Sequence, residues 1–403
     1  RLHIGIFGKR NVGKSSLINA LAGQDVSIVS DIAGTTTDPV GRAMELRGIG
    51  PVYIYDTPGY DDEGSLGNER VRRMRYVMKK IDLALLVTTF DGFDARDEEL
   101  LGQLLEDRAK VLVVFNKSDL ASGSGQPPGI ITERNVPWVA LSCRTGENVE
   151  LAHRKIVETA SGIRVEDDTL LGDMISSGDV VLLVVPIDLG APKGRLILPQ
   201  VRTIRDILDS HAVAVVAKER ELAQALRTLK SNPRLVVCDS QVVLQVAREV
   251  PDDVALTTFS IMFSRLKGEL EEFVRGASVI ERLEDGDKVL ICEACTHHPT
   301  PDDIGRVKLP RWIREYTGKD LHFDVNAGPL LDRWLSEYRL IVHCGGCMIN
   351  RKEMLHRIAE ARNSGTPITN YGIAISHVHG VLDRVLSPFP LEREILKTGL
   401  GDR

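Results

Sequence analysis

The run Gly8-Lys9-Arg10-Asn11-Val12-Gly13-Lys14-Ser15 fits G-x-x-x-x-G-K-S, and it restricts the fold more than any other feature of the chain. Such a loop works only between a strand and a helix. Its glycines let backbone N–H groups approach phosphate oxygens, its lysine balances the terminal phosphates, and its serine hydroxyl binds Mg²⁺. The flanks comply: Leu2 to Phe7 is an apolar run of strand length, and Ser15 to Ala22 carries a helical pattern. Gly8, Asn11, Val12, Gly13, Lys14, Ser15 and Ser16 are the candidate phosphate and metal contacts. The loop alone identifies phosphate binding but not the base.

Two further groups name the base. Asp56-Thr57-Pro58-Gly59 follows a strand at the expected interval and supplies a carboxylate behind the magnesium and a backbone N–H, that of Gly59, for a γ-phosphate. Asn116-Lys117-Ser118-Asp119 follows another strand. Its aspartate can accept hydrogen bonds from N1 and the exocyclic amine of guanine, where adenine lacks matching donors. Ser142-Cys143-Arg144 sits where a loop backing the guanine would. GTP and GDP are the expected ligands, with Mg²⁺.

At 403 residues the chain exceeds the roughly 250 to 300 at which one core stops growing, so two or three domains are expected. Up to about residue 163, strands at Leu2 to Phe7, Val52 to Tyr55, Leu83 to Thr88, Val111 to Phe115 and Trp138 to Leu141 alternate with helices at Ser15 to Ala22, Leu66 to Lys80, Asp97 to Leu105 and Glu147 to Ala160. That alternation predicts a parallel sheet with crossover helices. A second α/β segment spans 170–262, with strands at Val180 to Val185, Val213 to Val216, Leu235 to Cys238 and Val254 to Thr257. It has no phosphate loop and no ligand cluster, and its near-continuous apolar strands predict an association domain. A third segment, 264–403, is expected to begin with one amphipathic helix from Ser264 to Leu283. In it, short strands at Val289 to Ile291 and Leu340 to Val342 each run into a cysteine group. Side by side they would bring the thiolates together, because ligands of open α/β sheets gather beyond the carboxyl ends of strands.

The balance of 51 Lys and Arg against 57 Asp and Glu gives a formal charge of -6 and no basic field for a polyanion, so nucleic acid is not an expected partner. No apolar run approaches the ~18 residues of a membrane span. The chain is read as soluble and cytoplasmic, and nothing in it resembles a targeting signal. Of six cysteines, Cys143 and Cys238 follow apolar strands and are read as small buried hydrophobes, leaving Cys292, Cys295, Cys344 and Cys347 for metal. By spacing alone these four allow a thiolate zinc site. His297, His298 and His343 lie beside them, and 48 residues separate Cys295 from Cys344, long for a compact zinc ribbon. Arg70, Arg72, Arg73 and Arg75 read as a solvated helix face, and Trp312, Tyr316 and Trp334 as core. His377-Val378-His379 alternates like a strand and could form a metal pair.

The nucleotide motifs resemble those of the TrmE and Era group of GTPases. Gly34-Thr35-Thr36-Thr37-Asp38 resembles that group's first switch, with Thr36 as the implied magnesium and γ-phosphate ligand and Thr35 the alternative; the group usually has Arg where Thr37 stands. Lys14, Thr36 and Gly59 are then the candidate catalytic residues. Asn11 matches the position at which potassium-activated members hold a monovalent cation, so K⁺ is implied. Tyr60 stands where Ras-like enzymes place a water-orienting glutamine, and without that glutamine hydrolysis should be slow.

The arrangement Cys295-x-His297, then His343-Cys344-x-x-Cys347, resembles the C-x-H…H-C-x-x-C signature of the FeFe-hydrogenase maturation GTPase, the HydF family, and the resemblance covers the whole chain. It implies a 4Fe-4S cluster on Cys295, Cys344 and Cys347, with His297, His343 and Cys292 as further candidate ligands, and a homodimer built by the middle domain. It also implies a scaffold that receives the di-iron precursor and delivers it, with radical S-adenosylmethionine maturases and apo FeFe-hydrogenase as partners. The rival expectation is a ribosome- or tRNA-related GTPase with a zinc-binding extension.

Overall fold

The computed structural model describes residues 2–22, 28–30, 41–57, 59–60, 74–107, 109–121, 125–161, 163, 169–186, 196–294, 303–328, 335–346 and 349–398. Two compact units divide the chain, Arg1–Asp167 and Asp168–Arg403.

The first unit is built on β1 (Leu2–Phe7), β2 (Ile28–Ser30), β3 (Gly41–Leu46), β4 (Gly50–Asp56), β5 (Leu83–Thr88), β6 (Lys110–Phe115) and β7 (Trp138–Ala140). The sheet order is β2-β3-β4-β1-β5-β6-β7. From β4 to β7 all neighbours are parallel. The period of two along a strand sends alternate side chains to opposite faces, and each face has its own core. Leu2, Ile4, Ile6, Leu83, Leu85 and Val87 meet the helices Lys14–Ala22 and Val149–Ser161 on one face. Phe7, Ala84, Leu86, Val111 and Val113 meet residues 74–80 and the helix Ala95–Glu106 on the other. This is the expected α/β sheet with one difference: β2 and β3 add an antiparallel edge. Their sequences, Ile-Val-Ser and Gly-Arg-Ala-Met-Glu-Leu, lack a sustained apolar run, so the pairing with β4 carries no local signature.

The second unit holds two four-stranded sheets, each wholly parallel. One contains β8 (Val180–Val184), β9 (Val213–Ala217), β10 (Leu235–Cys238) and β11 (Ala255–Thr258) in the order β11-β10-β8-β9; the other contains β12 (Lys288–Glu293), β13 (His322–Ala327), β14 (Leu340–His343) and β15 (Ile368–Asn370) in the order β13-β12-β14-β15. A single core of buried side chains, from Leu170 to Phe389, runs through both. Tethers of high sequence separation cross between them. Ser387 Oγ accepts from the Leu256 amide, and Arg384 donates to the carbonyls of Pro251 and Val254.

Three expectations are corrected here. Ser264 to Leu283 is not one helix: a helix Phe259–Lys267 starts at the end of β11, stops at Gly268, and a second helix, Leu270–Ala277, begins after it. Glycine is the poorest helix former short of proline, and here it forms the boundary. Gly276 then lets the second helix lie on the backbone of β15, since a Cβ there would stand 2.0 Å from the Ile368 carbonyl oxygen. His377 and His379 end a helix, Tyr371–Val378, rather than a strand. Two residues apart on a helix they face different ways, and their rings meet Tyr316 and Trp312 respectively. Tyr316 itself is exposed, whereas Trp312 packs against the core; Trp334 lies outside the described residues. Cys238 is fully buried, as expected of a small hydrophobe, and Cys143 is half-buried beside the nucleotide loops. Arg75 is exposed, and Arg70, Arg72 and Arg73 lie outside the described residues. Among the described residues no helix is long and apolar enough to cross a membrane.

Candidate nucleotide and metal sites

The loop between β1 and the helix Lys14–Ala22 turns through left-handed backbone at Asn11 (φ 62°) and Gly13 (φ 96°). Gly13 cannot be replaced without a clash, because a Cβ there would stand 2.2 Å from Asn116 Nδ2. Lys14 Nζ reaches back over the loop to the carbonyls of Gly8 and Lys9, each at 2.8 Å. Ser15 Oγ donates to Asp56 Oδ2 at 3.2 Å, so the two magnesium candidates on the loop and on β4 already face each other. Thr57 anchors the second motif by donating to the Ile6 carbonyl at 2.7 Å. Gly59 and Tyr60 are described but Pro58 is not, and Thr35, Thr36 and the rest of the first switch lie outside the described residues.

The base-reading loops close the other side. A cavity of about 550 Å³ is walled by Asn11, Gly13, Lys14, Ser15 and Ser16 at one end and by Asn116, Lys117, Ser142, Cys143 and Arg144 at the other. Val12 is buried beneath, and its carbonyl accepts from Asn116 Nδ2 at 2.9 Å while Asn116 Oδ1 accepts from the Cys143 amide at 3.1 Å. One buried amide therefore ties the phosphate loop to the loop behind the base. Asn116→Ala is expected to leave both partners without their bond, each loss costing about 1–3 kcal/mol. Isothermal titration should show GTP affinity falling by roughly ten- to a hundredfold, on the rule of tenfold per 1.4 kcal/mol.

Asp119 stands beside Ser142 and Arg144, two residues of that wall. Hydrogen bonding from Ser142, then the charge of Arg144, holds its carboxyl below the usual carboxylate range. Oδ2 accepts from Arg144 Nη2 at 2.6 Å, whereas Oδ1 is buried and has no hydrogen-bond partner among the described residues. That orphaned acceptor suits a donor from a guanine edge. Motif reading did not find Lys9 and Asp97: Lys9 Nζ lies 2.7 Å from both Asp94 and buried Asp97, and the Tyr60 hydroxyl donates to Asp97. The acidic start of the helix Ala95–Glu106 was the available signal, since Asp94 and Asp97 form its capping box.

In the second unit, β12 and β14 pair directly, with Cys292 opposite His343. The pairing runs one residue further, because the Cys344 amide donates to the Cys292 carbonyl at 2.7 Å. Just past the strand, half-buried Cys344 accepts at its sulfur the Ala294 amide at 3.1 Å. The strands before the two cysteine groups thus lie side by side, as the strand reading anticipated, and Cys344 stands at the carboxyl edge of the sheet. An N–H aimed at sulfur suits a thiolate ligand. Cys295, His297, His298 and Cys347 lie outside the described residues, and among the described residues no three His, Cys, Asp or Glu side chains are grouped to hold a metal.

Cys292 is fully buried in the core. His343 is buried too, and both its ring nitrogens are engaged: Nδ1 with the Cys344 carbonyl at 2.6 Å, and Nε2 with Arg357 Nη1 at 3.0 Å. Burial, then the Arg357 charge, pushes its pKa down to about 3, so the ring is neutral at pH 7. To ligate metal, His343 would have to release one of these bonds. Arg357 is in turn held by buried Glu353 at 2.8 Å, an i,i+4 pair legible in the sequence. Buried Lys267, at the end of the helix Phe259–Lys267, donates to the carbonyls of Gly346 and Ile349 at 2.9 and 2.8 Å, on either side of Cys347 in sequence. Arg351 returns the contact, donating to the Leu266 carbonyl at 2.7 Å. Nothing local in the sequence marks these pairings.

Comparison with known proteins matches three stretches of the chain. Residues 3–117 match the family model of the 50S ribosome-binding GTPase, residues 170–268 that of the hydrogen maturase F dimerization domain, and residues 271–388 that of the hydrogen maturase F tetramerization domain. The tRNA modification GTPase MnmE of Methylococcus capsulatus is 40% identical over 159 residues, 38% of this chain and 34% of that protein. Its counterpart in Chromobacterium violaceum is 40% identical over 159 residues, 39% of this chain and 34% of that protein. The chain thus spans about a third of the length of the curated relatives it matches. Among solved structures, the G domain of the T. maritima FeoB iron transporter aligns at 25% identity and a TM-score of 0.32, covering 40% of this chain and 98% of that one. Aquifex aeolicus Era bound to GDP and aluminium fluoride aligns at 21% identity and a TM-score of 0.32, covering 57% and 98%.

Proposed function

Because the chain belongs to the hydrogen maturase F family and carries a GTPase domain, we propose that it couples GTP hydrolysis to a scaffold role in building the active site of FeFe-hydrogenase. In this reading Cys295, Cys344 and Cys347 hold a 4Fe-4S cluster. The protein receives the di-iron precursor from radical S-adenosylmethionine maturases in the cytoplasm and passes it to the apo-hydrogenase. The observation that supports the reading is the bond from the Ala294 amide, the residue before Cys295, to the Cys344 sulfur at one sheet edge. Thiolates suit the iron of such a cluster. Protein purified anaerobically should contain iron and acid-labile sulfide, absorb in the visible, and activate apo-hydrogenase after incubation with the maturases. Full zinc occupancy without iron would end the proposal in favour of a GTPase with a zinc extension.

The nucleotide half acts as a slow timer. Lys14 and Gly59 face the γ-phosphate, Ser15 and Thr36 hold Mg²⁺ with Asp56 behind, and Asn11 contacts K⁺. GTP turnover is expected to be faster in potassium than in sodium at equal ionic strength; equal rates would remove Asn11 from that role.

Self-association fits both domain descriptions. In the first sheet of the second unit β9 is an edge strand with exposed Val213 and Val216, and the neighbouring helix Leu198–Asp209 exposes Leu198, Val201 and Leu208. Unpaired edges with apolar side chains are templates for pairing. Val216→Glu should lower the mass seen by light scattering without loss of folding, and an unchanged mass would place the dimer contact elsewhere. A point change is the cleaner test, since removing 170–262 would cut through the shared core.

A further inference from the structure

At the carboxyl edge of the second sheet in this unit, one polar atom is left over. Tyr371 opens the helix Tyr371–Val378 directly after β15, the strand next to β14. Its hydroxyl oxygen is buried and has no hydrogen-bond partner among the described residues. A buried hydroxyl in that state has given up water for nothing, and native proteins seldom leave such a group unexplained. The hydroxyl lies hard against the backbone of Gly305, where an added Cβ would stand 2.1 Å away, so glycine is what admits it. Burial, then the charges of Cys344, Glu293 and Cys292, raises the pKa of the phenol, which stays a donor.

Neighbouring polar groups are committed elsewhere. Glu293 is buried and takes two bonds from Arg306, at 3.0 and 2.7 Å. Asp303 accepts the Arg306 amide at 2.8 Å. Cys344 and Tyr371 each follow directly on a residue of the His343–Asn370 pair, which sets them side by side at this sheet edge. We infer that the Tyr371 hydroxyl is the hydrogen-bond donor to the sulfur of the group held at Cys344, a positioning residue that tunes the group without ligating it. This rests on the iron–sulfur reading above. A donor to cluster sulfur withdraws electron density and favours the reduced state, so it raises the reduction potential.

The test compares wild type with Tyr371→Phe, both purified anaerobically and reconstituted with ferrous iron and sulfide. Iron content should be equal. The midpoint potential, followed by electron paramagnetic resonance, should be more negative in the variant. Without metal the variant should melt at the same temperature or higher, because it discards an unpaired buried hydroxyl; on reconstitution it should gain less in Tm than wild type. Equal iron with equal potentials and equal gains would overturn the inference alone. So would a metal-free variant that melts lower, which would mean the hydroxyl has a structural partner. Wild type that takes up zinc and no iron would overturn the iron–sulfur reading and this inference with it.

Discussion

Cys344→Ser is expected to strip the protein of iron while leaving GTP turnover at the wild-type rate. Its sulfur is half-buried beyond β14 and already receives the Ala294 amide, so a hydroxyl there keeps the backbone contact but replaces a soft thiolate with a hard, poorly ionised donor. The nucleotide motifs lie in Arg1–Asp167 and this residue in Asp168–Arg403, so the substitution leaves every residue of those motifs in place. Iron analysis and the visible spectrum should both fall to background, and activation of apo-hydrogenase should be lost. Cys292→Ser should behave differently, since that side chain is buried in the core; it should lower stability and retain iron. Iron retained by Cys344→Ser would refute the assignment, and complete loss from Cys292→Ser alone would favour a site of four thiolates.

Asp119→Asn should move base preference away from guanine. The carboxylate offers two acceptors, Oδ1 unpartnered and Oδ2 shared with exposed Arg144. Guanine presents two N–H donors to that pair, and hydrogen bonds to charged groups are worth about 1.5–3 kcal/mol each. An amide presents one acceptor and one donor, so one bond is lost and the guanine amine meets a like donor. Affinity for GTP should fall on the order of a hundredfold, and xanthosine triphosphate, with a carbonyl in place of that amine, should bind better than GTP. Competition with a fluorescent nucleotide measures both, and an unchanged order would mean that Asp119 does not read the base.

Local chemistry decided what could be read in advance. The loop from Gly8 to Ser15, the carboxylate at Asp56 and the pair Asn116 and Asp119 are legible because each motif dictates its own backbone. Parallel strands such as Leu83–Thr88 are legible because they are apolar on both faces. The antiparallel strands β2 and β3 were not, since Gly41–Leu46 becomes a strand only by pairing with Gly50–Asp56. The break at Gly268 was hidden by helical patterning on both sides. Asn116, 104 residues from Val12, could be named as a motif member but not as the tie between loops. Lys267 and Tyr371 owe their places to tertiary packing alone.

The grip of Lys267 and Arg351 makes the helix between them and β11 a lever. Its first residue follows Thr258 at the end of an edge strand, and its last holds carbonyls on both sides of Cys347 in sequence. Nine helical residues form a rod about 13 Å long that resists bending on this scale. Tilting the strand must therefore drag Gly346 and Ile349 with it, and pulling on those carbonyls must load the strand. The chain at Gly346 and Ile349 is in this way geared to the sheet whose opposite edge, β9, carries exposed Val213 and Val216.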